Sequence, residues 1–319
     1  MILNSKVNYI NVLLNLPLEQ PFAYKVPAEL SSRIQIGRKV MVPFKRQIIS
    51  GFVVEEIERR ESRKGLKEII KVIDDFPPLS NNFMKLAKWI SNYYCCSLGQ
   101  ALHSVFPLQE TFRVQKRIEN GRKTPTTQKF GKLNSIVKEY NEDIFLKEKG
   151  VFLFKTEDNK RKKSFYLFLV EKTLEKGKQI ILIAPEISYL SFLQELIINS
   201  YYKGDIAILH SRLSSKKRYK EWYRINKGEV QMVIGTRSAV FAPFDRLGLI
   251  IVEEEENSAY KQIEAPRYHL REVAIKRGEI EGFPVALFTG SPSLESWYQT
   301  KRGIYKLVEF PREKSKFPE

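Results

Sequence analysis

The stretch Gly228–Glu256 reads GEVQMVIGTRSAVFAPFDRLGLIIVEEEE. Val230–Ile234 is a short apolar run closed by Gly235, and Leu249–Val252 is a second run between Gly248 and a block of four acids. Runs rich in Val and Ile and bounded by turn residues predict strands buried on both faces. Such strands belong to a parallel sheet covered by helices, and its ligands sit beyond the carboxyl ends of the strands. One strand here ends in Gly-Thr-Arg-Ser, the other in Glu253, Glu254, Glu255 and Glu256. A hydroxyl-and-cation turn near an acidic cluster fits nucleotide-phosphate and magnesium chemistry, with one carboxylate holding the ion and another positioning the attacking water. It fits as well a strand that ends in a solvated, acidic helix start.

Outward from this stretch, strands and helices alternate from Val151 onward. Ser164–Lys176 reads as a helix, Gly177–Tyr189 as a strand leaving into a Pro-Glu turn, and Asp205–Leu209 as the next strand. A basic helix start follows at His210–Ile225, and Pro284–Gly290 makes a further strand that ends in SPSLESW. This alternation predicts a doubly wound parallel sheet. Residues 5–57 read instead as an all-β module: strands at Lys6–Leu14 and Pro21–Pro27, then a hairpin of Gly37–Phe44 and Ser50–Glu58 around Lys45, Arg46 and Gln47. Small barrels of this kind bind nucleic acid with their loops and one face. In Ser80–Ser91, Phe83, Leu86, Ala87 and Ile90 share one helical face, and a second short helix runs to Pro107. Leu108–Gly150 is basic and polar, and Gln115–Lys132 reads as an exposed linker.

The chain has 319 residues, enough for two domains. Its net charge of +17 favours a polyanion, nucleic acid or an anionic membrane surface. Nucleic acid is the stronger expectation, because no amphipathic anchor helix stands out and fifteen Tyr and three Trp offer base-stacking surface. Asn4, Asn8, Asn11 and Asn15 interrupt the apolar start, so no secretory signal is expected and the protein is placed in the cytoplasm. Cys95 and Cys96 are the only cysteines; they read as reduced thiols, and no metal site is expected.

Taken together, PFAYKVP, GRKVMVPF, LKEIIKVID, LAKWISNYY and LGQALHSVFP resemble the N-terminal domain of the PriA family, the replication-restart (primosomal) superfamily-two DNA helicases. IAPEISY, LHSRLS, VIGTRSAVFAPFDRLGLIIVEEE, AYKQIEAPRYHLREVA and SPSLESW resemble the family's first helicase lobe. The resemblance implies an α/β chain: a small β-barrel-like DNA-binding domain with C-terminal helices over 1–107, a basic linker over 108–150, and a doubly wound, RecA-like helicase lobe over 151–319. It implies DNA contacts from Phe22, Tyr24, Gly37 and Lys67 in the first domain. In the lobe it implies contacts from Arg237, Tyr260, Lys261, Arg267 and Tyr268, with Ser238 and His210–Arg212 beside them.

The departures from the family pattern bear on function. The phosphate loop G-x-x-x-x-G-K-[ST] aligns with Thr156–Ser164, where Lys162 takes the lysine position, Thr156 and Arg161 the glycine positions and Lys163 the hydroxyl position. Side chains then fill the phosphate cradle, and Lys162 is expected to be a surface charge. Glu253 stands at the magnesium-side acid and Glu254 at the water-positioning acid, a vestigial pair, while Glu256 replaces a coupling His. Ala23 replaces the family's end-reading Asp. The sequence stops at Glu319, and the second lobe is expected to be absent.

The expectation is therefore a PriA-like protein for forked or single-stranded DNA, with no cofactor and without autonomous helicase activity. One alternative is an ATPase or helicase subunit that uses ATP and Mg and is completed by a second lobe. Another is an interaction module for replisome or primosome proteins.

Overall fold

The computed structural model describes residues 9–57, 65–73, 77–106, 149–199 and 204–309. The expected linker, up to residue 148, and the first residues of the strand at Lys6 lie outside the described residues. The chain divides into two units, Met1–Thr111 with Gln262–Tyr268, and Phe112–Lys261 with His269–Glu319.

In the first unit, β1 (Tyr9–Leu14), β2 (Phe22–Lys25), β3 (Lys39–Phe44), β4 (Gln47–Ile57) and β5 (Lys71–Ile73) form a sheet of order β2-β1-β4-β3-β5. Its strand pairs are antiparallel. Ile10, Val12 and Leu14 alternate inward and meet Tyr24, Val40, Val42, Val53 and Val72 in one core. The expected hairpin is β3–β4; Phe44 pairs with Gln47, and Lys45 turns the chain at φ 51°. A bridge between Lys25 and Glu68 joins β2 to the segment leading into β5, with Lys25 N donating to Lys67 O at 2.9 Å and Ile69 N to Lys25 O at 3.1 Å. The two ends of the sheet thus meet, and the module closes as a small barrel.

Two helices follow. Ser80 caps α1 (Asn81–Tyr93), and Ser97 with Gln100 forms a capping box on α2 (Leu98–Val105). Phe83, Leu86, Ala87 and Ile90 are the buried face of α1, as their spacing predicts. α2 lies against β1 so closely that a Cβ on Gly99 would sit 1.9 Å from Leu14 O.

The second unit is a seven-stranded sheet of order β12-β6-β11-β10-β7-β9-β8. The strands are β6 (Val151–Lys155), β7 (Gln179–Ile183), β8 (Ile206–Leu209), β9 (Met232–Gly235), β10 (Leu247–Val252), β11 (Val285–Thr289) and β12 (Tyr305–Glu309). Every neighbouring pair is parallel. The helices are α3 (Asn159–Glu175), α4 (Ile187–Asn199), α5 (Ser215–Asn226), α6 (Leu270–Glu281) and α7 (Leu294–Lys301). The two runs of the opening stretch are β9 and β10, and every residue of β7, β9 and β11 is buried.

Three expectations need correction. The strand read within Gly177–Tyr189 ends at Ile183 and leaves into bends at Pro185 and Glu186, as expected, but Ile187–Tyr189 open α4. The helix expected from Ser164 starts at Asn159, because Asp158 caps it and no glycine interrupts the Lys-Arg-Lys-Lys run that follows. The four acids after β10 start no helix; they form bends and turns, and Glu253 and Glu255 are buried rather than solvated.

Candidate functional site

The carboxyl ends of β6, β7 and β10 lie at one edge of the parallel sheet. Glu253 N donates to Ile183 O at 2.9 Å, which holds the first acid directly beyond β7 and β10. The Glu253 side chain is 2% exposed, and Lys162 Nζ lies 2.5 Å from its Oε1. Lys162 is therefore not the surface charge the sequence suggests; its side chain is 17% exposed and turned onto the strand ends. A buried carboxylate needs a counter-charge and donors, and α3 supplies them. Tyr166, one helical turn after Lys162, donates to Glu253 Oε2. Tyr189 of α4 donates to Oε1 at 3.3 Å. Tyr260 OH donates to the Glu253 backbone carbonyl at 2.5 Å. Burial, and then the Glu253 charge, push the Tyr166 and Tyr189 phenols above their ordinary range, so both stay protonated donors.

The start of α3 is occupied as well. Asp158 Oδ1 accepts from Lys160 N at 2.9 Å and Arg161 N at 3.1 Å, the amides that a helix N-terminus would otherwise offer to an anion. Beside this lies a pocket of ≈ 530 Å³ lined by Lys162, Lys163, Ser188, Tyr189, Phe192 and Glu254 among others. Lys163 Nζ sits 4.8 Å from the centre of the Phe192 ring. Glu254 has φ 48° and accepts from Asn257 Nδ2 at 3.0 Å. Glu255, which the sequence reading left without a role, is fully buried. It accepts from Arg271 Nη1 (2.6 Å), Ser293 N (2.8 Å), Ser293 Oγ (3.0 Å) and Ser296 Oγ (2.9 Å), tying the ends of β10 and β11 to α6 and α7.

The barrel residues separate into surface and core. Phe22 is half-buried and meets Phe44 edge-on at 5.0 Å, Lys45 Nζ lies 5.8 Å from the Phe44 ring, and exposed Lys67 donates to Lys45 O at 3.3 Å. These residues make one aromatic and cationic patch beside the β3–β4 turn, and Phe44 and Lys45 are the members that the sequence reading missed. Their position at a hairpin turn was the available signal. Tyr24 is 4% exposed and donates to Pro43 O at 3.3 Å; its ring is in the barrel core and would have to leave it to stack on a base. Gly37 has φ 82°, its N donates to Val53 O and its O accepts from Leu79 N, so the fold itself uses both polar groups.

In the parallel-sheet unit, Arg237 Nη1 donates to Ala259 O at 3.1 Å and Lys261 O at 2.7 Å, so it fixes the turn that carries Tyr260 and Lys261. Tyr260 is fully buried and Lys261 is exposed; Tyr268, 3% exposed, and the exposed Arg267 lie in Gln262–Tyr268, which belongs to the first unit. Arg267 has φ 54° and donates to Ile263 O at 3.2 Å.

Residues 11–107 match the family model described as the 3′ DNA-binding domain (3′BD) of PriA. The replication restart protein PriA of Treponema pallidum is 33% identical over 309 residues, covering 93% of this chain and 46% of that protein. That of Bacillus subtilis is 44% identical over 164 residues, covering 50% of this chain and 20% of that protein. That of Rickettsia conorii is 31% identical over 300 residues, covering 90% and 43%. The chain spans about half the length of such relatives, or less. Among solved structures, RecG bound to a three-way DNA junction resembles 58% of this chain at TM-score 0.41 and 13% identity, covering 25% of that chain, too distant to bear on function. Residues 11–107 thus carry the pattern of the PriA 3′ DNA-binding domain, and over most of its length the chain is similar to replication restart proteins named PriA.

Proposed function

We propose that this chain is a DNA-gripping member of the replication-restart machinery. Its barrel unit takes forked or single-stranded DNA, and its parallel-sheet unit serves as a scaffold without helicase activity of its own. The observation that carries this reading is the internal saturation of the strand-end cluster. A triphosphate does not fit these residues as they stand: its phosphates would meet the Asp158 carboxylate on the amides of Lys160 and Arg161. A magnesium ion at Glu253 would have to displace Lys162. Each charge-assisted contact forgone removes about 1.5–3 kcal/mol of nucleotide affinity.

The barrel supports the DNA side of the proposal. Phe22 and Phe44 offer ring edges, and Lys45 and Lys67 offer cations for a backbone phosphate. Ala23 has no acceptor in its side chain, so selection of a free 3′ terminus is weak in this reading. Replisome partners and a cytoplasmic location belong to the same proposal. The second reading, an ATPase completed by another lobe, draws on the ≈ 530 Å³ pocket beside Lys162 and Glu254.

Calorimetry of ATP with magnesium, with and without forked DNA, separates the two. No heat at micromolar nucleotide is expected; micromolar affinity would establish the second reading instead. Lys67→Ala and Phe22→Ala are expected to weaken fork binding several-fold each. Unchanged, salt-insensitive binding in both variants would leave a protein-interaction module as the better account.

A further inference from the structure

We propose that α5 is a second, sequence-independent contact for a nucleic-acid backbone, separate from the barrel; the proposal rests on the DNA-binding reading above. Lys216, Lys220, Tyr223 and Lys227 recur at helical spacing and form one stripe along α5. The four-residue step places Lys216 and Lys220 about 6 Å apart along the axis, and Lys227 follows about 10 Å further on. Lys217 adjoins the stripe, and Arg212 is exposed in the loop before the helix.

The stripe is uncompensated. Lys216, Lys217 and Lys220 are exposed and form no ion pair among the described residues. Glu221 is the only acid on the helix, and Arg224 takes it at 2.8 Å. The stripe is also held on a firm base. Ser214 caps the helix, and Trp222 and Ile225 anchor it at 2% and 1% exposure. The positions of the lysine Cα atoms are therefore set before a ligand arrives, which lowers the ordering cost of binding.

The chemistry selects among polyanions. A helix that enters a membrane surface needs an exposed apolar face, and the large apolar side chains of α5 are the buried ones. Tyr223 is half-buried beneath Lys227, whose Nζ lies 5.4 Å from its ring, so base stacking is not what the stripe offers. Ammonium groups along one stripe fit phosphates read by charge alone.

The test uses the full chain and a fluorescein-labelled DNA fork, titrated from low to physiological salt. The triple variant Lys216→Ala, Lys217→Ala, Lys220→Ala is expected to keep the thermal midpoint and lose affinity equally for unrelated sequences. Its log-affinity against log-salt slope is expected to flatten by about 2–3. Lys→Gln replacements at the three positions serve as a second set and are expected to give the same slope. Lys276→Ala, a lysine engaged by Glu279 at 2.7 Å, is expected to leave the slope unchanged. An unaltered slope in both triple sets, while Lys67→Ala still weakens the fork, overturns this inference and leaves the barrel reading standing. Loss of binding to phosphatidylserine vesicles with no change on DNA overturns it in favour of a membrane contact. No DNA binding by the unaltered chain overturns both readings.

Discussion

Glu253, which follows β10, gathers its side-chain partners from two distant pieces of chain: Lys162 and Tyr166 from α3, and Tyr189 from α4. Only part of that set was legible in the sequence. Lys162 stood at a recognisable motif position, and Tyr166 lies four residues on, hence on the same helical face. Nothing local placed Tyr189 there, because its approach depends on the pairing of β7 with β10. The error about Lys162 has the same root: exposure was read from the loss of the phosphate loop's glycines, whereas a buried carboxylate far along the chain decides it. Lys162→Met should leave Glu253 with neutral donors alone and lower stability by about 3–5 kcal/mol. Adding Glu253→Gln should recover much of that loss; urea denaturation of the single and double variants measures the coupling.

Elements with strong local signals were read correctly. The runs read at Val230–Ile234 and Leu249–Val252 appear as the strands Met232–Gly235 and Leu247–Val252, and the apolar face of α1 is the one its spacing predicts. α4 was missed because ISYLSFLQELIIN continues an apolar run and carries little polar contrast to mark a helix. β12 was missed as a short strand at the edge of the sheet, paired only with β6. Tight packing of α2 on β1 was equally invisible, since Gly99 reads as an indifferent helix residue until Leu14 O is seen beside it. Alanine in a helix interior is normally favoured over glycine by about 1 kcal/mol. Gly99→Ala should invert that preference and destabilise the barrel unit by about 1–3 kcal/mol, because backbone rather than a flexible side chain opposes the new methyl. Thermal unfolding of the variant checks the sign.

At the scale of the molecule, the net charge of +17 coexists with histidines that the fold keeps neutral. Burial, and then Lys39, lower the pKa of His103 to about 4; burial, and then Arg271 and Lys261, do the same for His269. Unfolded imidazoles bind protons near pH 6.5, so between about 6.5 and 4 the unfolded chain holds more protons than the folded one. Stability should therefore fall as pH drops through that window. Urea midpoints at pH 7 and pH 5 test this, and His103→Asn should reduce the difference. The meeting of Lys25 with Glu68 has a further consequence. An open five-stranded sheet would present two rims of unsatisfied amides and carbonyls, each a template on which a neighbour's strand could add. By joining its two rims at Lys25, the sheet withholds part of that template from a neighbouring chain.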